Sequence, residues 1–215
     1  MVAVAVDVAI FTVLDRRLHI LLAQVRHGLL AGRWGLPGGR VGATESLDAA
    51  ASRQLHDQTG VTGIYLEQLY TFGSPDRDPA GRVVSVAYFG LIPHAGRFQP
   101  DGEAKYTHVR WQPVAHLPPL AYDHEEVVAT ALQRLCAKLE YTNLVYTLVP
   151  PAFALSELQD VYEAILARRL DRRNFRKKLL ASGLLRPLGR KRRGAHRPAA
   201  LFAFRHRRPM NIELL

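Results

Sequence analysis

"LPGGRVGATESLDAAASRQLHDQTGV", residues 36–61, decides how the rest of the chain is read. Its paired glycines, Gly38 and Gly39, let the backbone take unusual dihedrals and approach a ligand closely. Residues 44–59 are predicted to form a helix, with Thr44 or Ser46 near its start and Gly60 just past its end. On that helix Gln54, Asp57 and Gln58 fall at i, i+3 and i+4 and share one face. A metal-binding enzyme would want glutamates there. A Gln amide oxygen can coordinate Mg²⁺, but it brings no charge and is a poor base. Asp57 reaches less far than Glu. The pattern therefore predicts weakened metal binding and weakened water activation.

Outward from this stretch, residues 2–14 and 18–24 read as strands joined by an Asp15-Arg16-Arg17 turn, and 83–92 as another strand. Residues 123–139 read as a helix with Val127, Val128, Ala131, Leu132, Leu135 and Cys136 on one side. Strands flanked by helices predict an α/β or α+β sandwich. The apolar opening, MVAVAVDVAIFTVL, lacks a basic start and a cleavage site, and Asp7 interrupts it, so it reads as a buried strand rather than a signal peptide. The sequence has no apolar run of membrane-spanning length. A single cysteine, Cys136, rules out an internal disulfide and argues for a reducing, cytoplasmic setting. The nine histidines show no metal-ligand spacing, and no structural metal is expected.

Residues 36–61 resemble a Nudix box, G-x5-E-x7-R-E-U-x-E-E-x-G-U with U apolar. Gly39, Glu45, Arg53, Leu55, Gly60 and Val61 stand on its places, whereas Gln54, Asp57 and Gln58 depart from it. The resemblance implies a Nudix α/β/α sandwich, with the altered positions marking degraded catalysis. Further on, the Pro75-Asp76-Arg77-Asp78 loop resembles that of the ADP-ribose-handling branch of the family. Arg77 and Arg82 are candidates for bidentate phosphate contacts, Phe72 or Tyr70 for stacking on adenine, and Arg33 and Arg40 for phosphate contacts beside the glycine loop.

The net charge of +10 is unevenly placed. Residues 1–140 hold 13 Lys/Arg against 14 Asp/Glu, whereas residues 141–215 hold 16 against 5. A neutral front and a strongly basic back predict two modules, 1–140 and 141–215, the second facing a polyanion. Pro150-Pro151 breaks any helix before it. Ser156 then starts a helix, with Ser156 and Gln159 as a capping box and Leu158, Val161, Tyr162, Ile165 and Leu166 on one apolar face. Asp171 caps the next helix, 172–182, which turns Phe175 and Leu179 inward and Arg172, Arg173, Arg176 and Lys177 outward, and Gly183 ends it. "KRRGAHRP", 191–198, is a basic tip between two apolar strands.

Helix, basic helix and basic hairpin in that order read as a winged helix-turn-helix for duplex DNA. Arginines of the second helix would read guanine and Asn174 adenine, while Arg190, Lys191, Arg192, Arg193 and Arg197 would sit on phosphates or in the minor groove. A basic amphipathic helix could instead touch a membrane surface or a protein.

A degraded Nudix domain followed by a basic winged helix resembles the Nudix-related transcriptional regulators of the NrtR type. That resemblance implies a cytoplasmic bacterial homodimer that represses genes of NAD synthesis, salvage or related pentose metabolism. It implies release from operator DNA by ADP-ribose or a related nucleotide, with no required cofactor. Mg²⁺ would matter only for residual hydrolysis. The alternative is an active ADP-ribose pyrophosphatase with an accessory nucleic-acid-binding domain. A second rival is a module for RNA or a protein partner. The Pro150-Pro151 joint, between the predicted modules, is a candidate site for the ligand-driven change.

Overall fold

The structure is a computed structural model and describes residues 2–93, 106–192 and 198–211. The chain divides into two compact units, Met1–Thr12 with His19–Gln133, and Val13–Leu18 with Arg134–Leu215.

The first unit is built on a sheet whose central strand is β1 (Ala3–Leu14). Residues 5–12 of β1 are buried without a break, the signature of a strand covered on both faces. β2 (Arg17–Val25) follows after a two-residue turn in which Asp15 and Arg16 both have positive φ, 46° and 59°. A turn of that hand matches the twist of the flanking strands. β3 (Trp34–Gly35) pairs antiparallel with β2, and β4 (Gly38–Arg40) antiparallel with β1. α1 (Leu47–Thr59) begins at the Ser46 cap, whose hydroxyl accepts the Ala49 N–H at 3.2 Å, and stops at Gly60 with φ 73°. It starts later than the 44–59 span predicted, because Thr44 and Glu45 belong to the preceding turn.

β5 (Leu66–Phe72) and β7 (Tyr106–Pro113) were not foreseen, being polar edge strands without clean alternation. β6 (Val83–Leu91) runs parallel to β1, with Ala3 opposite Val83 and Phe11 opposite Leu91. α1 lays Ala50, Ala51 and Leu55 on Val8, Ile10, Val86 and Tyr88 of the sheet. Burying one such leucine stabilises by roughly 1.5–3 kcal/mol. α2 (His124–Tyr141) carries buried Val127, Val128, Ala131, Leu135 and Leu139, while the predicted Leu132 and Cys136 are half-buried.

In the second unit β8 (Phe153–Ala154) leads into α3 (Leu155–Leu166) and α4 (Arg172–Ala181). β9 (Leu185–Arg192) and β10 (Ala199–Phe204) form the hairpin, and the sheet order is β8-β10-β9. Phe153 packs on Phe204 at 5.3 Å, and Tyr162 meets Phe175 edge-on at 5.1 Å, joining α3 to α4. The predicted Ser156–Gln159 capping box is not formed. Glu157 takes that role, accepting the Ala154 N–H at 2.7 Å, because β8 places the helix start two residues earlier than Ser156 would allow. Gln159 instead donates to Glu163 and to the Leu170 carbonyl.

Pro150-Pro151 is not a joint between the units. It lies inside the second, where Arg207 donates to the carbonyls of Tyr146, Val149 and Pro150.

Candidate functional site

In the first unit the glycine loop is held by amides. Gln58 is buried, and its side chain closes on one residue: Oε1 accepts the Gly38 N–H at 2.9 Å, and Nε2 donates to the Gly38 carbonyl at 2.9 Å. Nε2 also donates to Gln54 Oε1 at 2.6 Å, and Gln54 Nε2 donates to the Arg40 carbonyl at 3.2 Å. A carboxylate has no donor and cannot make the two Nε2 bonds. Gly38 itself faces β1 so closely that a Cβ would lie 2.4 Å from the Val6 carbonyl oxygen. Glycine is required there by approach rather than by dihedral.

The remaining carboxylates are also engaged. Glu45 accepts two bonds from Arg53, at 2.9 and 2.6 Å, and the Gly42 N–H at 2.6 Å. Those bonds, the Arg53 pair foremost, lower its pKa to about 2. Asp57 is exposed and lies 3.6 Å from Arg53. Among the described residues no group of three or more His, Cys, Asp or Glu is placed to hold a metal ion. The helix face of the box thus offers two amides bonded to backbone carbonyls and one exposed carboxylate, Asp57, while Glu45 faces the Arg53 guanidinium.

Beside the loop lies a pocket of about 90 Å³, lined by Asp7, Gly39, Arg40, Arg77, Tyr122 and His124 among others. Its floor is a buried polar network. Arg77 forks onto Asp123 at 2.8 and 2.6 Å and reaches Asp7 at 3.0 Å. Ser85 donates to Asp7 at 2.6 Å. His124 Nδ1 accepts the Leu36 N–H at 2.8 Å, which leaves the ring proton on Nε2, 3.3 Å from Asp7. Burial alone would raise the Asp7 carboxyl, but His124, Ser85 and Arg77 outweigh it and hold Asp7 well below the usual carboxylate range. Tyr122 sits in the pocket with φ 58°, a strained value for a bulky residue.

Several predicted contacts change. Arg77 is buried and its guanidinium already bonded to two carboxylates, so it is not a free phosphate fork. Phe72 is 4% exposed and part of the core, whereas Tyr70 is 62% exposed and packs edge-on against Phe72 at 5.4 Å, so only Tyr70 of the pair presents its ring to solvent. Arg82 donates to the carbonyls of Gly73 and Ser74 and shapes the 73–82 loop. Arg33 and Arg40 are exposed, and Arg40 lines the pocket with Gly39. Sequence reasoning missed Tyr122, Asp123 and His124. For the network they serve, the one signal was Asp7, a charge inside an otherwise apolar strand.

In the second unit α4 buries Phe175 and Leu179 and exposes Arg172, Arg173, Asn174, Arg176 and Lys177, as predicted. Asp171 caps it, accepting the Asn174 N–H at 2.8 Å. On the hairpin Arg190 and Lys191 are exposed. Arg192 is committed instead: it pairs with Glu157 at 2.6 Å and donates to the Ala152 carbonyl at 3.2 Å, which ties the hairpin to the start of α3. Arg193 and Arg197 lie outside the described residues.

A Nudix domain model matches residues 3–132, and a model described as the NrtR DNA-binding winged helix domain matches residues 145–204. The chain is 37% identical to the ADPR responsive transcriptional repressor NtrR of Acinetobacter baylyi over 93% of its own length and 80% of the relative's. The chain belongs to the NrtR family. The crystal structure of Shewanella oneidensis NrtR complexed with a 27mer DNA superposes with a TM-score of 0.79 at 32% identity, covering 94% of this chain and 93% of that one. The NUDIX domain of the same protein, complexed with ADP ribose, matches at 36% identity and a TM-score of 0.59, covering 63% of this chain and 89% of that one.

Proposed function

We propose that this chain is a bacterial transcriptional repressor that binds operator DNA through residues 141–215 and senses ADP-ribose, intact, through residues 1–140. The observation that carries the reading is Gln58: both ends of its amide are bonded to Gly38, so the loop is braced without carboxylates where a Nudix enzyme would gather metal ions. The Shewanella oneidensis complexes with DNA and with ADP ribose support the two ligands. Arg33, Arg40 and Tyr70, which are exposed, and Gly39 of the glycine loop would meet the nucleotide. Arg172, Arg173, Asn174, Arg176, Lys177, Arg190 and Lys191 would meet DNA. The chain acts as a cytoplasmic homodimer on genes of NAD or related pentose metabolism, its two readers set on half-sites about one helical turn, 34–36 Å, or a multiple apart.

A mobility shift with DNA from upstream of its own gene and neighbouring genes tests the reading. ADP-ribose is expected to abolish a specific shift. A shift indifferent to ADP-ribose, or equal on random DNA, overturns it.

A further inference from the structure

α4 carries one residue that a purely electrostatic role does not explain. Leu180 is 44% exposed, while its neighbour Leu179 is fully buried. At about 100° per residue, Lys177 lies opposite Phe175 and Leu179, with Arg173 and Leu180 together to one side of it, within about 60°. Two cations and one apolar side chain therefore share the exposed face of the helix. No acidic residue lies in α4, and its first turn begins Arg172-Arg173, cations at the helix end where the backbone dipole disfavours them. That arrangement opposes helix stability and favours an anionic partner. Duplex DNA fits this face: phosphates meet the flanking Arg172, Arg176 and Lys178, and the groove floor offers an apolar group only where a thymine presents its C5-methyl.

We propose that Leu180 is a specificity-determining residue that packs on a thymine methyl in the major groove. Seven residues of helix rise about 10.5 Å. The thymine thus lies roughly three base-pair steps from the base read by Arg173. This rests on the DNA-binding reading above.

The test uses the full chain and duplexes it selects from a random library. Each thymine of a selected half-site is replaced in turn by deoxyuridine, which removes only the methyl. One position per half-site is expected to weaken wild-type binding about three- to fivefold, as loss of one buried methyl implies. Leu180→Ala is expected to bind the thymine and uracil duplexes equally at that position, keep the penalties elsewhere, and melt as wild type does. Leu180→Gln serves as a second variant. Wild-type protein indifferent to every deoxyuridine, or Leu180→Ala retaining the same penalty at the same position, overturns the proposal. Failure of the wild type to enrich any duplex overturns the DNA-binding reading with it.

Discussion

The Gln58 amide bonds to both the N–H and the carbonyl of Gly38, each at 2.9 Å. Gln58→Glu would keep the oxygen acceptor but turn a second oxygen toward the Gly38 carbonyl and toward Gln54 Oε1. Leaving such buried acceptors without donors costs about 1–3 kcal/mol. Urea denaturation at pH 7 is expected to show that loss, together with weaker ADP-ribose binding. A Gln58→Glu protein as stable as wild type contradicts the bracing role.

Gly38→Ala is expected to destabilise the first unit by about 1–3 kcal/mol or more, the range for overpacking a rigid site. The new Cβ would meet backbone atoms of Val6 and Asp7, which cannot rotate away. Thermal melts check this. An unchanged midpoint would mean that β1 and β4 separate easily.

The Asp7–Arg77–Asp123 network predicts a pH dependence. Asp7 has a folded pKa below its unfolded value of about 3.9. Its contribution is therefore complete above that value and is lost as pH falls toward the folded pKa. Asp7→Asn should cost about 3–5 kcal/mol at pH 7, because Arg77 loses one of its two buried partners. The gap between wild type and Asp7→Asn should narrow below about pH 4. A gap that stays constant down to pH 3 in urea titrations argues against this role for Asp7.

The wing residues should separate by behaviour. Lys191→Ala should weaken binding to all sequences alike and reduce the dependence of log affinity on log salt by about one unit. Arg192→Ala should leave that slope nearly unchanged and loosen the hairpin, because its guanidinium faces Glu157. Glu157→Gln should act like Arg192→Ala on stability. A loss of one unit from Arg192→Ala would return that residue to the phosphate contacts.

Much of this molecule was legible in the sequence. Strands β1, β2 and β6, helix α1 and its Gly60 stop, and the Asp171 cap of α4 follow from local patterns that burial enforces. What escaped is mostly made by residues far apart in the chain. Arg77 looked like a free cation because Asp7 and Asp123 lie 70 and 46 residues away. Phe72 looked as available as Tyr70, because both fall on one face of β5 and only the packing of the folded unit covers Phe72 while leaving Tyr70 exposed. Glu157 displaced Ser156 and Gln159 from the cap because β8 pairs with β10, a register that no local signal announces.

The most direct test is equilibrium binding of ADP-ribose to the full chain in Mg²⁺ and in EDTA, with the nucleotide recovered and resolved chromatographically afterwards. An amide-braced sensor binds with the same affinity in both and returns ADP-ribose intact. Binding that requires Mg²⁺, with AMP and ribose 5-phosphate accumulating, would mean that the altered box is still a hydrolase.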